Sequence, residues 1–190
     1  MSRKSVSQSN AQRRNRELGR GDSLRRKPSL LVRPVEVSDF EFVRRLAARI
    51  EGYTVPPTYV LWMFCRFYPQ FCVVAEGPRG VRLAYLLAMP VEVRSGAVFV
   101  WQVASTFKGQ RLHAGTELAQ HLRTVAAKQD RHRILFTTVP RSASEKLVTS
   151  LAERVFHTSP RLGSPLPKSA SVGEYEYSLF VQGKRSKRPC

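Results

Sequence analysis

Apolar and polar positions along this chain fall into short runs with two periods. Leu30 to Val35 reads as a first strand. Phe42, Leu46 and Ile50 then recur every four residues, as on a helix with one apolar face, and Ser38 followed by Glu41 predicts a capping box at its start. Val55-Pro56-Pro57 interrupts the chain before a second apolar helix, Tyr59 to Phe67, which Pro69 stops. Phe71 to Ala75 and Val81 to Met89 are β-rich and joined through Gly77-Pro78-Arg79-Gly80, a hairpin pattern. Beyond Ser95-Gly96, Ala97 to Ala104 is too apolar for a strand with one wet face, so it belongs in the middle of a sheet. Gly115, Leu118, Leu122 and Val125 mark one side of a helix from Leu112 to Lys128. A strand from Ile134 to Val139, a helix from Ser142 to Phe156 and a last strand from Glu174 to Val181, with Tyr175, Tyr177 and Leu179 alternating, complete the pattern.

The predicted order is β-α-α-β-β-β-α-β-α-β. This is an α/β chain with a mixed sheet flanked by helices, in which antiparallel hairpin strands lead into a β-α-β unit. Its 190 residues suit one domain, at 30–182, between two basic tails at 1–29 and 183–190. The formal charge is +18, and its excess concentrates at the ends: ten Lys and Arg against Glu17 and Asp22 in residues 1–33, then Lys184, Arg185, Lys187 and Arg188. These tails hold too few apolar residues to offset the entropy of ordering and are expected to be disordered. Arg13, Arg14, Arg16 and their neighbours suit nonspecific, salt-sensitive contact with nucleic acid or an anionic surface, but no aromatic is interleaved for stacking. Solvated tails that keep a basic protein soluble are the plainer reading.

The longest apolar stretches fall far short of the roughly 20 residues of a membrane-spanning helix, so no span is expected. No apolar signal-peptide core follows Met1, and Cys65, Cys72 and Cys190 are too few and irregular for a disulfide framework. A reducing, cytoplasmic setting follows, with Cys65 and Cys72 as buried thiols. His113, Glu117 and His121 share a helical face, but eight residues place the histidines ~12 Å apart, too far for one ion. We expect no metal there, only a surface face with a Glu117–His121 pair. Nucleophile-elbow, Walker and Cys-x-x-Cys motifs do not occur, which removes hydrolase, ATPase and zinc readings.

The informative segment is the central strand followed by Ser105-Thr106-Phe107-Lys108-Gly109-Gln110-Arg111 and a helix. A strand-loop-helix junction gathers backbone N–H groups and the positive end of a helix dipole, which suits a phosphate-bearing ligand, and Lys108 and Arg111 add charge.

With that junction in place, residues 30 to 156 resemble the GNAT superfamily of acyl-CoA-dependent N-acetyltransferases. Tyr59 with Cys65, Cys72 to Glu76, Ser150-Leu151-Ala152 and above all Phe99-Val100-Trp101-Gln102-Val103-Ala104 look most like the diaminobutyrate acetyltransferases of ectoine synthesis. The resemblance implies an enzyme using acetyl-CoA as co-substrate and no metal, acting on an amine-bearing small molecule or peptide, and pairing as a homodimer. It places the pantetheine against the backbone of Val103, Ala104 and Ser105, and the pyrophosphate on Lys108, Gly109, Gln110, Arg111, Leu112 and His113. Ser142 falls near an asparagine that often follows the next strand. Gln102 and Tyr59 are candidates for the reacting centre, Tyr53 and Trp101 for acceptor contact, and core packing is the alternative for each aromatic. Trp101 and Gln102 are expected to alternate across the strand, one facing the acceptor while the other packs.

The chain also departs from the superfamily pattern. Only Gly109 of its loop fits cleanly, Arg111 replaces a glycine, and Val148 stands where many members carry a proton-donating tyrosine. An aspartate and an asparagine of the diaminobutyrate enzymes are Thr54 and Pro56 here, so no clear carboxylate is evident for a diamino acid. A catalytically decayed fold serving as a basic binding module is therefore the alternative function.

Overall fold

The computed structural model describes residues 30–50, 56–92, 96–106, 111–167 and 173–181. Both basic tails, Tyr53, Thr54, Lys108, Gly109 and Gln110 lie outside these. The elements are β1 (Leu31–Pro34), α1 (Phe40–Ala47), α2 (Thr58–Phe67), β2 (Val73–Glu76), β3 (Arg82–Val91), β4 (Ala97–Ser105), α3 (Arg111–Lys128), β5 (Arg133–Thr138), α4 (Ala143–Leu151), β6 (Arg161–Pro165) and β7 (Tyr175–Phe180). The strands form one sheet in the order β1-β2-β3-β4-β5-β7-β6, with β4 in the middle. Every neighbouring pair is antiparallel except β4 and β5, which are joined through α3 and run parallel.

Each face of the sheet has its own core. On one, α3 packs Ala114, Leu118, Leu122 and Ala126 against Val73, Leu86, Val98, Ile134 and Phe136. The four-residue steps along α3 keep a single stripe turned to the sheet, as the sequence pattern predicts. On the other, α1 and α2 bring Val43, Leu61 and Phe64 against Val74, Tyr85 and Leu87. Cys65 and Cys72 are buried and free within this second core. Burial pushes their thiols up to about 11 and about 12, which keeps them protonated and inert. Among the described residues, no helix is long and apolar enough to cross a membrane.

Three expectations change. The strand β6 was not predicted; it is exposed along its whole length and pairs only with β7, so it carries no apolar alternation. The last predicted helix is two pieces: α4 ends at Leu151 and Ala152–Phe156 widens into a π turn, where Arg123 Nη1 donates to the Val155 carbonyl at 2.6 Å. The predicted Ser38–Glu41 capping box does not form. Glu41 pairs on the surface with Arg44 at 2.7 Å, and Asp39 instead accepts from the Glu36 N–H at 2.8 Å.

Asp39 takes that place because it is the buried hub of an ion network. Its carboxylate is fully buried and accepts from Arg33 at 2.7 and 3.0 Å and from Arg82 Nε at 2.5 Å. Arg33 also reaches Glu76 at 2.6 Å, so the cluster ties β1, β2, β3 and the start of α1 together. Burial alone would raise the Asp39 carboxyl, but Arg33, the Glu36 N–H and Arg82 together hold it below its ordinary value.

Removing one partner of a buried charge cluster leaves the others uncompensated. We therefore expect Asp39→Asn to cost roughly 3 kcal/mol in urea unfolding at neutral pH. Because the folded carboxyl is depressed, its contribution is full above the unfolded value of ~3.9 and is lost as pH falls through the lower folded value. The gap between parent and variant should close in strong acid; a gap that is unchanged there would place the stabilisation elsewhere.

Candidate active site

The site begins where β4 parts from β5. On its β3 side, β4 stays paired to its end, at Ala84↔Ser105, and the Thr106 N–H extends the attachment by donating to Leu83 O at 2.8 Å. On its β5 side the ladder covers only Ala97↔Arg133 to Val100↔Phe136. From Trp101 onward β4 has no β5 partner, and a cleft of about 140 Å³ opens beside its freed end. Its walls are Val103, Ala104 and Ser105 from β4, Gly115 and Leu118 from α3, and Ala143, Ser144 and Leu147 from α4.

A bulge sits at the point of divergence. Leu87 pairs with Gln102 while Ala88 pairs with Val100, so Trp101 is an extra residue with no partner in the β3 register. One inserted residue reverses the facing of everything that follows it. Val100 and Val103 accordingly pack on the same side, against the α3 core, while Ala104 joins the core beneath α1 and α2. The expected alternation of Trp101 and Gln102 is overturned for this reason: both turn toward α1 and α2. The Trp101 ring meets Phe64 of α2 edge-on, with centroids 4.8 Å apart, and stays 38% exposed. Gln102 is 3% exposed, and its Oε1 accepts from the Tyr85 hydroxyl at 2.7 Å.

The other candidates separate into groups. Val103, Ala104 and Ser105 lie together along the cleft. Leu112 and His113 occupy the first turn of α3, which Arg111 opens. His113 Nδ1 lies 3.8 Å from Glu117, so the surface pair is His113–Glu117 and not Glu117–His121. Burial, with Lys128 nearby, lowers the His121 pKa. Ser142 caps α4: its hydroxyl accepts from the Glu145 N–H at 3.1 Å and lies 3.3 Å from the Thr138 hydroxyl. Tyr59 is 66% exposed on α2, its ring 5.9 Å from that of Trp62. Among the described residues, no group of three or more His, Cys, Asp or Glu is placed to hold a metal.

A carboxylate that sequence reasoning missed lies one strand from the gap, across β5. Thr137↔Glu176 is the register pair just beyond Val100↔Phe136, and Tyr177 of β7 faces the α3 core. Alternation then turns Glu176 to the opposite face, the one that carries Trp101. The signal was the polar position between Tyr175 and Tyr177, legible only once the register of β7 on β5 is known.

The back of the site is braced through Glu145. It accepts from the Tyr177 hydroxyl at 2.5 Å and from the Arg141 N–H, and these bonds, Tyr177 first, lower its pKa. Burial and Glu145 push the Tyr177 phenol up to about 12, so it remains a donor at any physiological pH. Tyr177 also stacks on Phe136 of β5, with centroids 5.3 Å apart and planes 8° apart. The N-terminal turn of α4 is thus fixed against β5 and β7, and its Ala143 and Ser144 line the cleft.

Comparison with known proteins places this geometry. No family model matches the chain. It is 31% identical over 134 residues to an L-2,4-diaminobutyric acid acetyltransferase of Bordetella parapertussis, covering 67% of this chain and 70% of that protein. Its fold is similar to that of the diaminobutyrate acetyltransferase of Paenibacillus lautus, solved with L-2,4-diaminobutyric acid and coenzyme A, with a TM-score of 0.65 and 17% identity over 81% of this chain and 96% of the other. It is also similar to an acetyltransferase of the GNAT family from Staphylococcus aureus, with a TM-score of 0.63 and 13% identity over 81% of this chain and 100% of the other.

The bulge fixes Gln102 in a buried bond that can be tested. Tyr85→Phe removes the donor and should cost about 1–3 kcal/mol in denaturant unfolding, because the Gln102 amide oxygen is left buried without it. Adding Gln102→Leu removes the orphaned group and should recover part of that loss. A double variant weaker than the two singles combined would contradict this bond.

Proposed function

The chain belongs to the GNAT family of acetyltransferases, and from that membership we propose that it transfers an acetyl group from acetyl-CoA to a primary amine of a small molecule or peptide, with a diaminobutyrate-like diamine as the leading acceptor. The observation that carries the reading is the end of the β4–β5 ladder at Val100↔Phe136, with an apolar cleft opening directly beyond it. The decayed-module alternative gains no support from the relative, which is named for its acetyltransferase activity.

The described residues fit the coenzyme in two respects. Val103, Leu118 and Leu147 give the cleft apolar walls suited to a pantetheine chain, and the β4 backbone beyond Val100 has no β5 ladder to occupy it. Gly115 keeps α3 close to α4, since a Cβ there would lie 3.3 Å from Leu151. We assign the diphosphate end to the turn leading into Leu112 and His113, most of which lies outside the described residues. When bound, acetyl-CoA supplies an activated acetyl group whose thiol can leave.

The chain's own contribution is mainly positioning. Holding an amine beside a thioester removes much of the entropic barrier to a bimolecular reaction. We assign to a backbone N–H of β4 past the bulge the negative charge that develops on the carbonyl oxygen. On the face opposite the cleft helices, Trp101 supplies an aromatic wall and Glu176 a carboxylate for an ammonium group of the acceptor. Val148 packs against the core and offers no acid, so as the C–S bond breaks the thiolate takes a proton from water, and the proton shed by the amine on forming the C–N bond returns to water.

Isothermal titration with acetyl-CoA, followed by thiol release with a panel of amines that includes 2,4-diaminobutyrate, tests this reading. Absence of both coenzyme binding and thiol release would overturn it. Ser144→Trp, which places an indole at the cleft wall, should weaken acetyl-CoA binding at least about tenfold, a loss of ~1.4 kcal/mol, without changing the thermal midpoint greatly. Glu176→Gln should raise KM for a diamine by roughly tenfold and leave the coenzyme affinity alone. An equal effect on both ligands would assign Glu176 a structural role only.

A further inference from the structure

The half of the sheet beyond β5 carries a second feature, at the end opposite the cleft. Arg133 opens β5 and pairs with Phe180 near the end of β7, while Arg161 opens β6 and pairs with Ser178. All three side chains share one face, and both guanidiniums lie over the Phe180 ring, at 5.7 Å for Arg133 and 5.0 Å for Arg161. Phe180 is exposed. Among the described residues, neither arginine has an ion-pair partner, and Arg133 Nε is buried without any hydrogen-bond partner.

Two features of this cluster are unfavourable in the isolated chain. Two like charges are held on one ring, and a buried donor goes unsatisfied, an arrangement that native structures rarely leave unexplained. The next acid along this face of β7 is Glu176, four residues or ~13 Å up the strand. Anions held against the two guanidiniums would offset the first of these penalties, since a guanidinium beside a ring keeps N–H edges free for bidentate contact with phosphate.

We propose that Arg133, Phe180 and Arg161 form a docking surface for the phosphodiester backbone of a single-stranded nucleic acid. A polyanion fits better than one carboxylate because the charge continues. Lys184, Arg185, Lys187 and Arg188 follow Phe180 closely in sequence, and the whole chain carries +18. A single strand also allows an unstacked base to meet an exposed ring or guanidinium plane. The surface lies at the start of β5 and the acetyl cleft beyond its far end, so both can be filled together.

The test uses the full chain and a fluorescein-labelled oligouridine of about 20 nucleotides, titrated by anisotropy across a salt series. The Arg133→Ala, Arg161→Ala double variant should bind at least roughly fivefold more weakly near 150 mM salt, and its log–log salt slope should be shallower by about 1.4, two phosphate contacts at ~0.7 each. Acetyl-CoA titration of the same variant should match the parent, which shows that the fold is intact. The Arg133→Lys, Arg161→Lys variant should keep the slope yet lose affinity, because the charge remains while the fork is gone. Should the alanine variant disturb the fold, Arg161→Ala alone, at an exposed edge, carries the same expectation at about half the slope change. Binding by the alanine variant within about twofold of the parent would overturn the proposal, as would no binding by the parent. Equally strong competition by polyglutamate would overturn it in favour of an acidic protein partner.

Discussion

Strand β4 must satisfy two neighbours with different demands. Toward β3 it stays hydrogen-bonded from Ala97 to Ser105, and toward β5 it releases after four register pairs. The extra residue at Trp101 bends β4 and increases its local twist, so the last five residues follow β3 away from β5. The same residue resets which side chains face which helices. Val103 then lines the cleft, Gln102 is committed to Tyr85, and Trp101 is left against Phe64 of α2.

A gap between strands closes unless each side is anchored independently. The Asp39 network and the α1–α2 core hold β1 to β4 as one unit. The contacts of Tyr177 with Glu145 and Phe136 hold β5, β7 and α4 as another. Between the two units run the short β4–β5 ladder and α3, which touches both through a single apolar stripe. The cleft is thus a seam between two rigid pieces, not a cavity carved from one. Its backbone edge stays unpaired because the β4–β5 ladder ends at Val100↔Phe136 and residues of α3 and α4 line the opening beyond it.

Much of this was legible in the sequence, and what was not has physical causes. The order of elements followed from periodicity because α3 and the strand cores bury single stripes, and the apolar run from Ala97 to Ala104 sits mid-sheet as its composition demands. The strand β6 escaped because Arg161-Leu162-Gly163-Ser164-Pro165 buries nothing, and only pairing with β7 makes it a strand. The bulge escaped because Val100-Trp101-Gln102-Val103 looks regular on either register. Ser38–Glu41 matched a local capping rule, yet a buried aspartate between two arginines outweighs a surface cap. Glu176 was hidden by distance in sequence, since only the β5–β7 register brings it within one strand of the gap.

On the two proposals, charge is arranged along the sheet in a way that keeps amine chemistry separate from anchoring. An acceptor amine must lose its proton to attack, and a nearby guanidinium would lower its pKa while also repelling its ammonium form. At the cleft end the strand walls are apolar or neutral apart from Glu176, whereas Arg133 and Arg161 stand at the opposite end of the same face. The ~13 Å of strand between Glu176 and Phe180 exceeds the ~8 Å screening length at physiological salt. Cations placed there can hold a polyanion without altering how the amine ionises. Moving them one or two register positions toward Glu176 would bring them inside that length, and they would then compete with the acceptor for its carboxylate.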